Sequence, residues 1–493
     1  MSRKLFGTDG IRGPANEYPL TAEFARRLGQ AVGSLLIEQS RSSPPNRPNL
    51  KQPPSAVIGR DTRVSGPMLE DALAAGLNAT GVDVTLLGVI PTPAVSFLTR
   101  ELGASLGVVI SASHNPYHDN GIKFFGHDGY KFDDAFEAQI ESLVLDESSP
   151  LPTATNIGRV NPLENAVDRY VDFALKTVHQ NPALLENFRI HLDCANGASH
   201  QTSEAILKKL GAQVVPLHTQ PNGVNINESC GCTHPSIIQE SILADPASKP
   251  TANPNTARPP GANEGSAPPT AASGSSVTLV GVSHDGDADR VLLCDETGAV
   301  LDGDELMAIA AVHMLENNTL ADNTLVATIM SNWGLNELLE SRGGKVLRTQ
   351  VGDRYVLETM RENNLNLGGE QSGHFIFHDH NLTGDGIISA LQFLQIMAAT
   401  GQPLSELRQV LTKYPQAQRN IQVKVKPPVE ELSAAQSLIA ETEATLGDQG
   451  RTLLRYSGTE ALIRLLIEGK DAAYIETQAD AIAEAIQSQI GAD

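Results

Sequence analysis

The sequence predicts an α/β fold of three similar sandwich domains with mixed or parallel sheets, plus a smaller C-terminal α+β domain, around one central cleft. Two observations predict it. Apolar runs typical of buried strands alternate with helical patterns over most of the chain, and this alternation implies crossover connections and a mostly parallel sheet. With 493 residues, the chain is also too long for one hydrophobic core, so we expect several domains.

The alternation is clearest in three stretches of the chain. In the first, strands are predicted over 56–59, 82–87 and 106–110, and helices over 67–80 and 94–102. The second and third restart the same pattern, with strands over 188–194, 213–217, 324–330 and 346–350 and helices over 202–210, 305–315 and 335–341.

From residue 420 onward the pattern changes to short strands, over 452–455 and 462–467, and two helices, one over 430–444 and one at the C-terminus. This mixture is typical of a small α+β domain. The four patterns place the expected domains at residues 1–158, 159–298, 299–415 and 416–493.

Two segments interrupt this order. Residues 40–54 are rich in Pro, Ser and Asn, and residues 245–276 consist almost wholly of Pro, Ala, Ser, Gly, Thr and Asn. Neither segment can bury enough apolar area to offset the entropy lost on ordering. We therefore expect both to be mobile surface insertions, the second one disordered within the second domain.

The charge of the chain excludes some classes of function. It has 58 acidic and 36 basic side chains and a formal net charge of -22. Such a chain is not expected to bind nucleic acid, and an anionic ligand would need local Arg and Lys clusters. There is no apolar signal segment and no stretch long enough to span a membrane, so we expect a cytoplasmic protein, either a monomer or a homodimer.

Three polar loops each follow an apolar run that is typical of a strand. The runs are LGVVIS, LVGVS and LNLGG, and the loops after them are 112–116, 284–290 and 370–374. Because α/β proteins bind ligands at the carboxyl ends of parallel strands, the three loops predict one shared ligand site.

The acidic loop Asp285-Gly286-Asp287-Ala288-Asp289-Arg290 predicts a divalent metal site, and oxygen ligands favour Mg²⁺. An EF-hand fits less well, since Arg290 stands where its sixth position needs glycine. A DxD loop with Asp285 as an aspartyl nucleophile also fits a strand followed by Asp. A solvated acidic turn is disfavoured, because the loop lies between two apolar strands.

The segment Ser111 to Pro116 places Ser113 beside His114 and Asn115, after a strand. Ser113 could be a nucleophile, or the segment could be only a turn fixed by Asn-Pro; the residues alone leave both open. The nearby residues 119–123 are predicted to form a hairpin turn that presents Lys123.

Two further loops could bind phosphate, although a surface turn is the simpler interpretation of each. One is the glycine-rich segment 6–13 with Arg12, and the other is segment 455–464 with two arginines, a glycine and several hydroxyl groups.

The group Cys230, Cys232 and His234 could suggest a metal site, but it lacks paired CxxC spacing. For these three residues a structural role is therefore favoured.

Taken in order, FGTDGIRG, SASHNP, DGDADR, GEQSGH and RYSGTE resemble the motifs of the α-D-phosphohexomutase superfamily. FGTDGIRG and SASHNPYHDNGIKFF resemble its phosphoglucosamine mutase branch. The resemblance covers the whole chain except the two insertions. The chain differs from the family at Tyr456 and Ala461, where prolines are usual, and at Cys232, where serine is expected.

The resemblance also implies site residues. Ser113 would carry the phosphate, and Asp285, Asp287 and Asp289 would bind one Mg²⁺ together with an oxygen of phosphorylated Ser113. The reacting centre would be lined by Arg12, His114, Lys123, Arg290 and His374. Sugar hydroxyls would be bound by Glu370 and Ser372, and the non-reacting phosphate by Arg455, Ser457, Gly458, Thr459 and Arg464.

The implied activity is that of an isomerase acting on a phosphosugar. It would interconvert glucosamine 6-phosphate and glucosamine 1-phosphate, with glucosamine 1,6-bisphosphate as intermediate and activator, and so supply UDP-N-acetylglucosamine synthesis. Three alternatives stay open at this point: a mutase for glucose or mannose phosphates, an aspartyl-phosphate phosphatase using Asp285, and a phosphosugar-binding module without turnover.

Overall fold

The computed structural model describes residues 5–7, 9–42, 54–145, 156–178, 181–248, 277–457 and 460–492. By their internal contacts these residues form two compact units. Unit 1 comprises Met1–Ile329 and Leu347–Arg408, and unit 2 comprises Met330–Val346 and Gln409–Asp493.

The first sheet of unit 1 has six strands in the order β1-β5-β4-β2-β3-β6. β2, β3 and β4 are parallel, while β5 is antiparallel to both β4 and β1. Apolar side chains of the strands and helices pack into one core cluster. The elements are β1 (Ile11–Pro14), α1 (Ala22–Ser42), β2 (Ser55–Arg60), α2 (Gly66–Ala79), β3 (Asp83–Val89), α3 (Thr92–Glu101), β4 (Leu106–Ile110), β5 (Asp119–Gly126), α4 (Asp134–Leu145) and β6 (Val160–Pro162).

The second sheet has five strands in the order β11-β10-β9-β7-β8. β7 is parallel to β8 and β9, and β9 and β10 form an antiparallel hairpin whose connection is the acidic loop. The elements are α5 (Ala166–Leu175), β7 (Phe188–Asp193), α6 (Thr202–Lys209), β8 (Gln213–Leu217), α7 (Ser236–Ala244), β9 (Thr278–His284), β10 (Val291–Cys294) and β11 (Val300–Leu301).

The third sheet has four strands in the order β13-β12-β14-β15. β12 and β14 are parallel, whereas β14 and β15 form an antiparallel pair. The elements are α8 (Gly303–Glu316), β12 (Thr324–Thr328), α9 (Gly334–Ser341), β13 (Lys345–Thr349), α10 (Asp353–Glu362), β14 (Leu367–Gly369), β15 (Phe375–Phe377), α11 (Gly386–Thr400) and α12 (Leu404–Leu407).

Most of unit 2 is an antiparallel sheet in the order β16-β18-β17 with two helices packed on it. Its elements are β16 (Gln416–Gln422), α13 (Ser433–Leu446), β17 (Gly450–Tyr456), β18 (Leu462–Gly469) and α14 (Ala472–Ile490). The predicted α/β class is confirmed, with three mixed or largely parallel sheets followed by a small α+β unit. No helix in the described ranges is long and apolar enough to cross a bilayer.

The hairpin turn predicted over residues 119–123 is wrong. These residues open β5, where Asn120 and Gly121 pair with β1 and Lys123 lies opposite Val109 of β4. The Lys123 side chain is 1% exposed. Strand pairing on both sides overrides the local turn preference of Asp-Asn-Gly, because it satisfies the backbone hydrogen bonds of the segment.

The ordered structure extends into the predicted ends of both insertions. Helix α1 continues through Ser42, and Asp245 is buried, with an ion pair to Arg189 (2.8 Å) and a hydrogen bond with His191 (3.0 Å). The rest of each insertion, residues 43–53 and 249–276, lies outside the described residues.

A buried carboxylate organises unit 2. Glu468 on β18 is fully buried and accepts hydrogen bonds from Arg451 (2.5 Å), Gln416 (2.8 Å) and the backbone amide of Trp333 (3.2 Å). Arg451 in turn donates to the Ser331 carbonyl at 2.8 Å. Glu468 therefore joins segment 330–346 to the sheet within this unit.

Glu468→Ala should lower the free energy of unfolding of unit 2 by about 3–5 kcal/mol, because it leaves Arg451 without its buried partner. Trp333 is the single tryptophan of the chain and lies in unit 2, so its fluorescence during urea titration reports this unit. Glu476→Ala, which breaks an exposed pair with Arg419, is the control and should cost about 0–1 kcal/mol. Equal effects of the two substitutions would contradict this role of Glu468.

Candidate active site

The loop after β4 positions Ser113. This residue is 1% exposed and has a φ of 50°, a left-handed conformation that is unusual for serine. Its amide donates to Ser111 Oγ at 2.9 Å, and its Oγ donates to Asp285 Oδ2 at 2.6 Å. The hydroxyl of Ser113 therefore points directly at the acidic loop of the second sheet.

The acidic loop gathers three buried carboxylates. Ligand oxygens of Asp285, Asp287 and Asp289 all lie within 4.8 Å of one another. Burial and the neighbouring negative charges of Asp289 and Asp287 raise the pKa of Asp285 well above its usual value. Thr92, on the first sheet's helix α3, donates to Asp287 Oδ2 at 2.7 Å and fixes that side chain.

These carboxylates fit a hard divalent cation. Asp287 Oδ1 and Asp289 Oδ1 are buried and have no hydrogen-bond partner among the described residues. Unpaired buried oxygens carry a large desolvation cost, which a cation bound between them would remove. An all-oxygen ligand set of this kind suits Mg²⁺.

Lys123 borders the acidic loop from strand β5. Its Nζ lies 3.0 Å from Asp287 Oδ2 and 2.9 Å from Asp9 Oδ2. Burial alone would lower the pKa of Lys123, but the charges of Asp287 and Asp9 outweigh it and raise the pKa above its usual value. Lys123 is thus a buried cation beside the acidic loop.

His374 directly precedes β15 and forms an isolated backbone bridge with Arg290. Its Nδ1 is 3.8 Å from Asp289 and its Nε2 is 3.7 Å from Asp353. Burial would lower the pKa of His374, but Asp289 and Asp353 outweigh it and raise the pKa to about 9. A Cβ on Gly384 would lie 2.0 Å from His374 Nε2, so only glycine fits against the ring.

Three residues of this cluster, Asp9, Lys131 and Asp353, were not predicted from the sequence. Asp9 Oδ1 accepts from Lys131 at 2.6 Å, and Lys131 also donates to Asp353 Oδ2 at 2.6 Å. Asp9 accepts from Arg12 as well. The position of Asp9 inside the glycine-rich motif was the one available signal, whereas nothing in the sequence distinguishes Lys131 or Asp353.

Two donors in the same cluster are still unused. Arg12 Nε and Arg290 Nε are buried and have no hydrogen-bond partner in the part of the chain that the structure describes. These two buried donors can form charge-assisted hydrogen bonds with an anion.

His114 is half-buried, and its Nδ1 lies 3.4 Å from Ser113 Oγ. Burial, together with the charges of Arg290 and Arg12, lowers the pKa of His114, so it is a neutral group beside Ser113.

The loop between β14 and β15 holds the predicted sugar ligands. Glu370 Oε1 accepts from the Gly352 amide at 2.9 Å, and Ser372 is exposed. Gly373 has a φ of 90° and packs against the Val291 carbonyl, where a Cβ would lie at 2.5 Å. The loop is thus anchored next to the acidic hairpin within unit 1.

The predicted phosphate ligands Arg455, Ser457 and Arg464 lie in unit 2. Arg455 and Arg464 stand directly opposite each other on β17 and β18. Burial and the charge of Arg464 lower the pKa of Arg455. Like charges at such a cross-strand pair are unfavourable unless an anion offsets them.

Lys426 donates to the carbonyls of Ser457 and Glu460, both at 2.8 Å, and so fixes the two flanks of the predicted phosphate-binding segment. The predicted ligands Gly458 and Thr459 lie outside the described residues.

The cysteine-rich segment forms a different cluster from the one considered in the sequence. Cys230 lies near Asp193 and His218, while Cys232 and His234 are not part of this group. Asp193 already accepts from the amides of Ala195 and Gly231 and lies 3.1 Å from His218 Nδ1. Burial raises the pKa of Cys230 to about 12, so its thiol stays protonated and a structural role is favoured.

Asp287→Ala should weaken Mg²⁺ binding by at least about tenfold, because one of three converging carboxylates is lost. Calorimetric titration with MgCl₂ measures this directly, and Asp172→Ala, at an exposed site, is the control. Ca²⁺ should bind with looser coordination and support much less turnover. Unchanged Mg²⁺ affinity in Asp287→Ala would show that the cation lies elsewhere.

Four domains described as phosphoglucomutase/phosphomannomutase match the chain. Their α/β/α domains I, II and III match residues 3–150, 168–298 and 302–414, and their C-terminal domain matches 420–485.

Curated relatives match over the full length. A phosphoglucosamine mutase of Desulforamulus reducens is 46% identical over 485 residues, covering 98% of this chain and 99% of the relative. A phosphoglucosamine mutase of an Anaeromyxobacter species is 44% identical, covering 100% and 97%.

Solved structures share the fold. A phosphoglucomutase/phosphomannomutase family protein of Burkholderia thailandensis has a TM-score of 0.74 at 23% identity, covering 98% of this chain and 97% of that one. Aspergillus fumigatus N-acetylphosphoglucosamine mutase, in complex with GlcNAc-6P and magnesium, has a TM-score of 0.58 at 17% identity, covering 98% and 96%. The four matched domains and the full-length relatives together show that the chain belongs to the phosphoglucomutase/phosphomannomutase family.

Proposed function

We propose that this protein interconverts glucosamine 6-phosphate and glucosamine 1-phosphate, with Ser113 as the carrier of the transferred phosphate. The observation that carries the proposal is the contact of Ser113 Oγ with Asp285 inside a trio of buried carboxylates. Full-length relatives at 44–46% identity that are named phosphoglucosamine mutase support glucosamine as the sugar. We further propose a cytoplasmic enzyme, active as a monomer or a homodimer.

Asp285, Asp287 and Asp289 would hold one Mg²⁺ together with an oxygen of the Ser113 phosphate. When bound, the cation would neutralise charge on the phosphate oxygens. The chain's own cations complete the site: Lys123, Arg12, Arg290 and His374 would orient the phosphate and offset the charge that develops during transfer. Two of these four residues, Arg12 and Arg290, keep a buried Nε–H free for an anion.

The reaction consists of two transfers. First, the sugar hydroxyl at C1 attacks phosphorus, the bond from phosphorus to Ser113 Oγ breaks, and glucosamine 1,6-bisphosphate forms. The bisphosphate then reorients, and Ser113 Oγ attacks the 6-phosphate, which leaves glucosamine 1-phosphate. The bisphosphate is therefore the intermediate, and supplied from outside it would also activate unphosphorylated enzyme.

Each transfer moves one proton from the attacking hydroxyl to the oxygen that leaves phosphorus. Lys123 and His374 are cationic in this arrangement, so they can donate that proton and recover one from the attacking hydroxyl. His114 is neutral and lies beside Ser113 Oγ, so in the second transfer it can take up the serine proton and pass it to whichever of Lys123 and His374 has donated one. Glu370 and Ser372 would bind the sugar hydroxyls meanwhile.

Ser113→Ala should reduce mutase activity by at least about a thousandfold without unfolding the protein, because covalent transfer through this residue is lost. Peptide mapping should place an acid-stable phosphate on Ser113 of the wild type. Ser96→Ala removes another buried hydroxyl, which donates to the Gly129 carbonyl, and should keep near-normal activity. An acid-labile phosphate on Asp285, or substantial turnover by Ser113→Ala, would refute the proposal.

Arg455→Ala should raise KM for both glucosamine phosphates by about 10- to 100-fold, since charge-assisted hydrogen bonds to the non-reacting phosphate are lost. It should also release more bisphosphate into solution during turnover. Arg455→Lys should recover only part of the loss, because an ammonium lacks the bidentate geometry.

Arg419→Ala provides the matched control, as it removes a half-buried arginine of the same sheet that pairs with Glu476 and Asp480. Its KM and bisphosphate release should match the wild type. If Arg455→Ala also behaved like the wild type, the non-reacting phosphate would have to be held by other residues.

A further inference from the structure

One buried arginine holds the backbone of the loop that carries Ser113. Arg63 follows β2, and its side chain is fully buried. An arginine has five N–H donors, and here all five are used. Nε donates to Asp61 Oδ2 (2.8 Å), and the two Nη groups donate to the carbonyls of Ser113 (3.0 Å), Asn115 (2.8 Å), Asp119 (3.0 Å) and Pro116.

A second side chain reaches the same carbonyls from the second sheet's side of the site. Asn227 Nδ2 donates to the carbonyl of Ser113 at 2.8 Å and to that of Asn115 at 3.0 Å. Asp61, the partner of Arg63, accepts from Ser111 Oγ at 2.6 Å, and Ser111 Oγ accepts from the Ser113 amide. Both ends of the Ser113 peptide are therefore fixed by this network.

The network offsets a local backbone cost. Ser113 has a φ of 50°, and the left-handed conformation is unfavourable for a residue with a Cβ. Without donors on its carbonyl, the loop would relax toward ordinary backbone angles. Such a relaxation would turn the Oγ of Ser113 away from Asp285.

The acidic loop packs on the same carbonyl. A Cβ on Gly286 would lie 2.6 Å from the Ser113 carbonyl oxygen and 2.7 Å from Asn227 Nδ2, so the two loops meet without any spare room. The position of the Ser113 carbonyl therefore fixes the distance between the serine hydroxyl and the three carboxylates.

We propose that Arg63 is a positioning residue for phosphoryl transfer: it holds the Ser113 loop in its left-handed conformation, so that Oγ stays aligned with the acidic loop. Asn227 assists it on the same two carbonyls. Arg63 is buried beneath the loop and makes no contact that a sugar would replace. Its loss should therefore slow the transfer step and leave sugar binding unchanged. The inference rests on the proposed function for the reaction that is measured.

Arg63→Lys is the decisive variant, because an ammonium has three donors and cannot span four carbonyls and a carboxylate. We expect kcat to fall about 100-fold, the cost of displacing a reacting group by about an ångström, with KM within twofold of the wild type. The rate at which phosphorylated Ser113 transfers its phosphate to added glucosamine 6-phosphate should fall by the same factor.

Arg408→Lys is the matched control. Arg408 is another multiply bonded arginine, held by Asp295 (3.1 Å) and Glu305 (2.5 Å) and not in contact with the Ser113 loop. It should lose comparable thermal stability but keep kcat within about threefold. If Arg63→Lys does not fold, Asn227→Ala replaces it, with an expected tenfold loss of kcat at unchanged KM.

The inference would be overturned if the kcat of Arg63→Lys, or of its substitute Asn227→Ala, equalled the kcat of Arg408→Lys. It would also be overturned if the substitution changed only KM. Wild-type turnover separates this inference from the proposed function. Failure of the wild type to convert glucosamine 6-phosphate refutes the proposed substrate alone. The role of Arg63 is then decided by the ratio of the variant's kcat to the wild-type kcat. This ratio is measured with whichever of glucosamine 6-phosphate and glucose 6-phosphate the wild type converts.

Discussion

The constraint on which the site depends is the burial of three carboxylates on one short hairpin connection. Asp285, Asp287 and Asp289 repel one another, and burial removes the water that would otherwise screen them. The raised pKa of Asp285 shows how unfavourable the arrangement is without compensation. Cationic side chains surround these carboxylates and offset their charge, and further acidic side chains pair with those cations.

The charges of this cluster are equal in number when His374 is protonated and Asp285 is ionised, as Asp285 would be with a cation bound. The acids are Asp9, Asp285, Asp287, Asp289 and Asp353, and the bases are Arg12, Lys123, Lys131, Arg290 and His374. A divalent cation alone would leave this cluster with excess positive charge, and a phosphate on Ser113 alone would leave it negative. Since a phosphoserine carries nearly two negative charges at neutral pH, the two additions cancel, and each should stabilise the binding of the other.

The sequence predicted the parts that depend on local pattern. The bounds of β4 and β8 follow from apolar runs ended by polar residues. The acidic loop is recognisable because carboxylates occupy alternate positions of a segment that lies between two apolar strands. Lys123 was misplaced because Asp-Asn-Gly favours a turn, whereas pairing with β1 and β4 decides the outcome. Lys131, Asp353 and Arg63 were not found, since their roles come from partners distant along the chain, which no local motif records.

In the proposed mechanism one serine serves two chemically different transfers. Ser113 and the charges around it would then recognise only a phosphate and an attacking hydroxyl, which both transfers share. Recognition of the sugar would then come from other loops, such as the one that carries Glu370, whose carboxylate accepts from the Gly352 amide. Rigid fixation of Ser113 suits this division, because the sugar reorients between transfers while the reacting groups stay where they are.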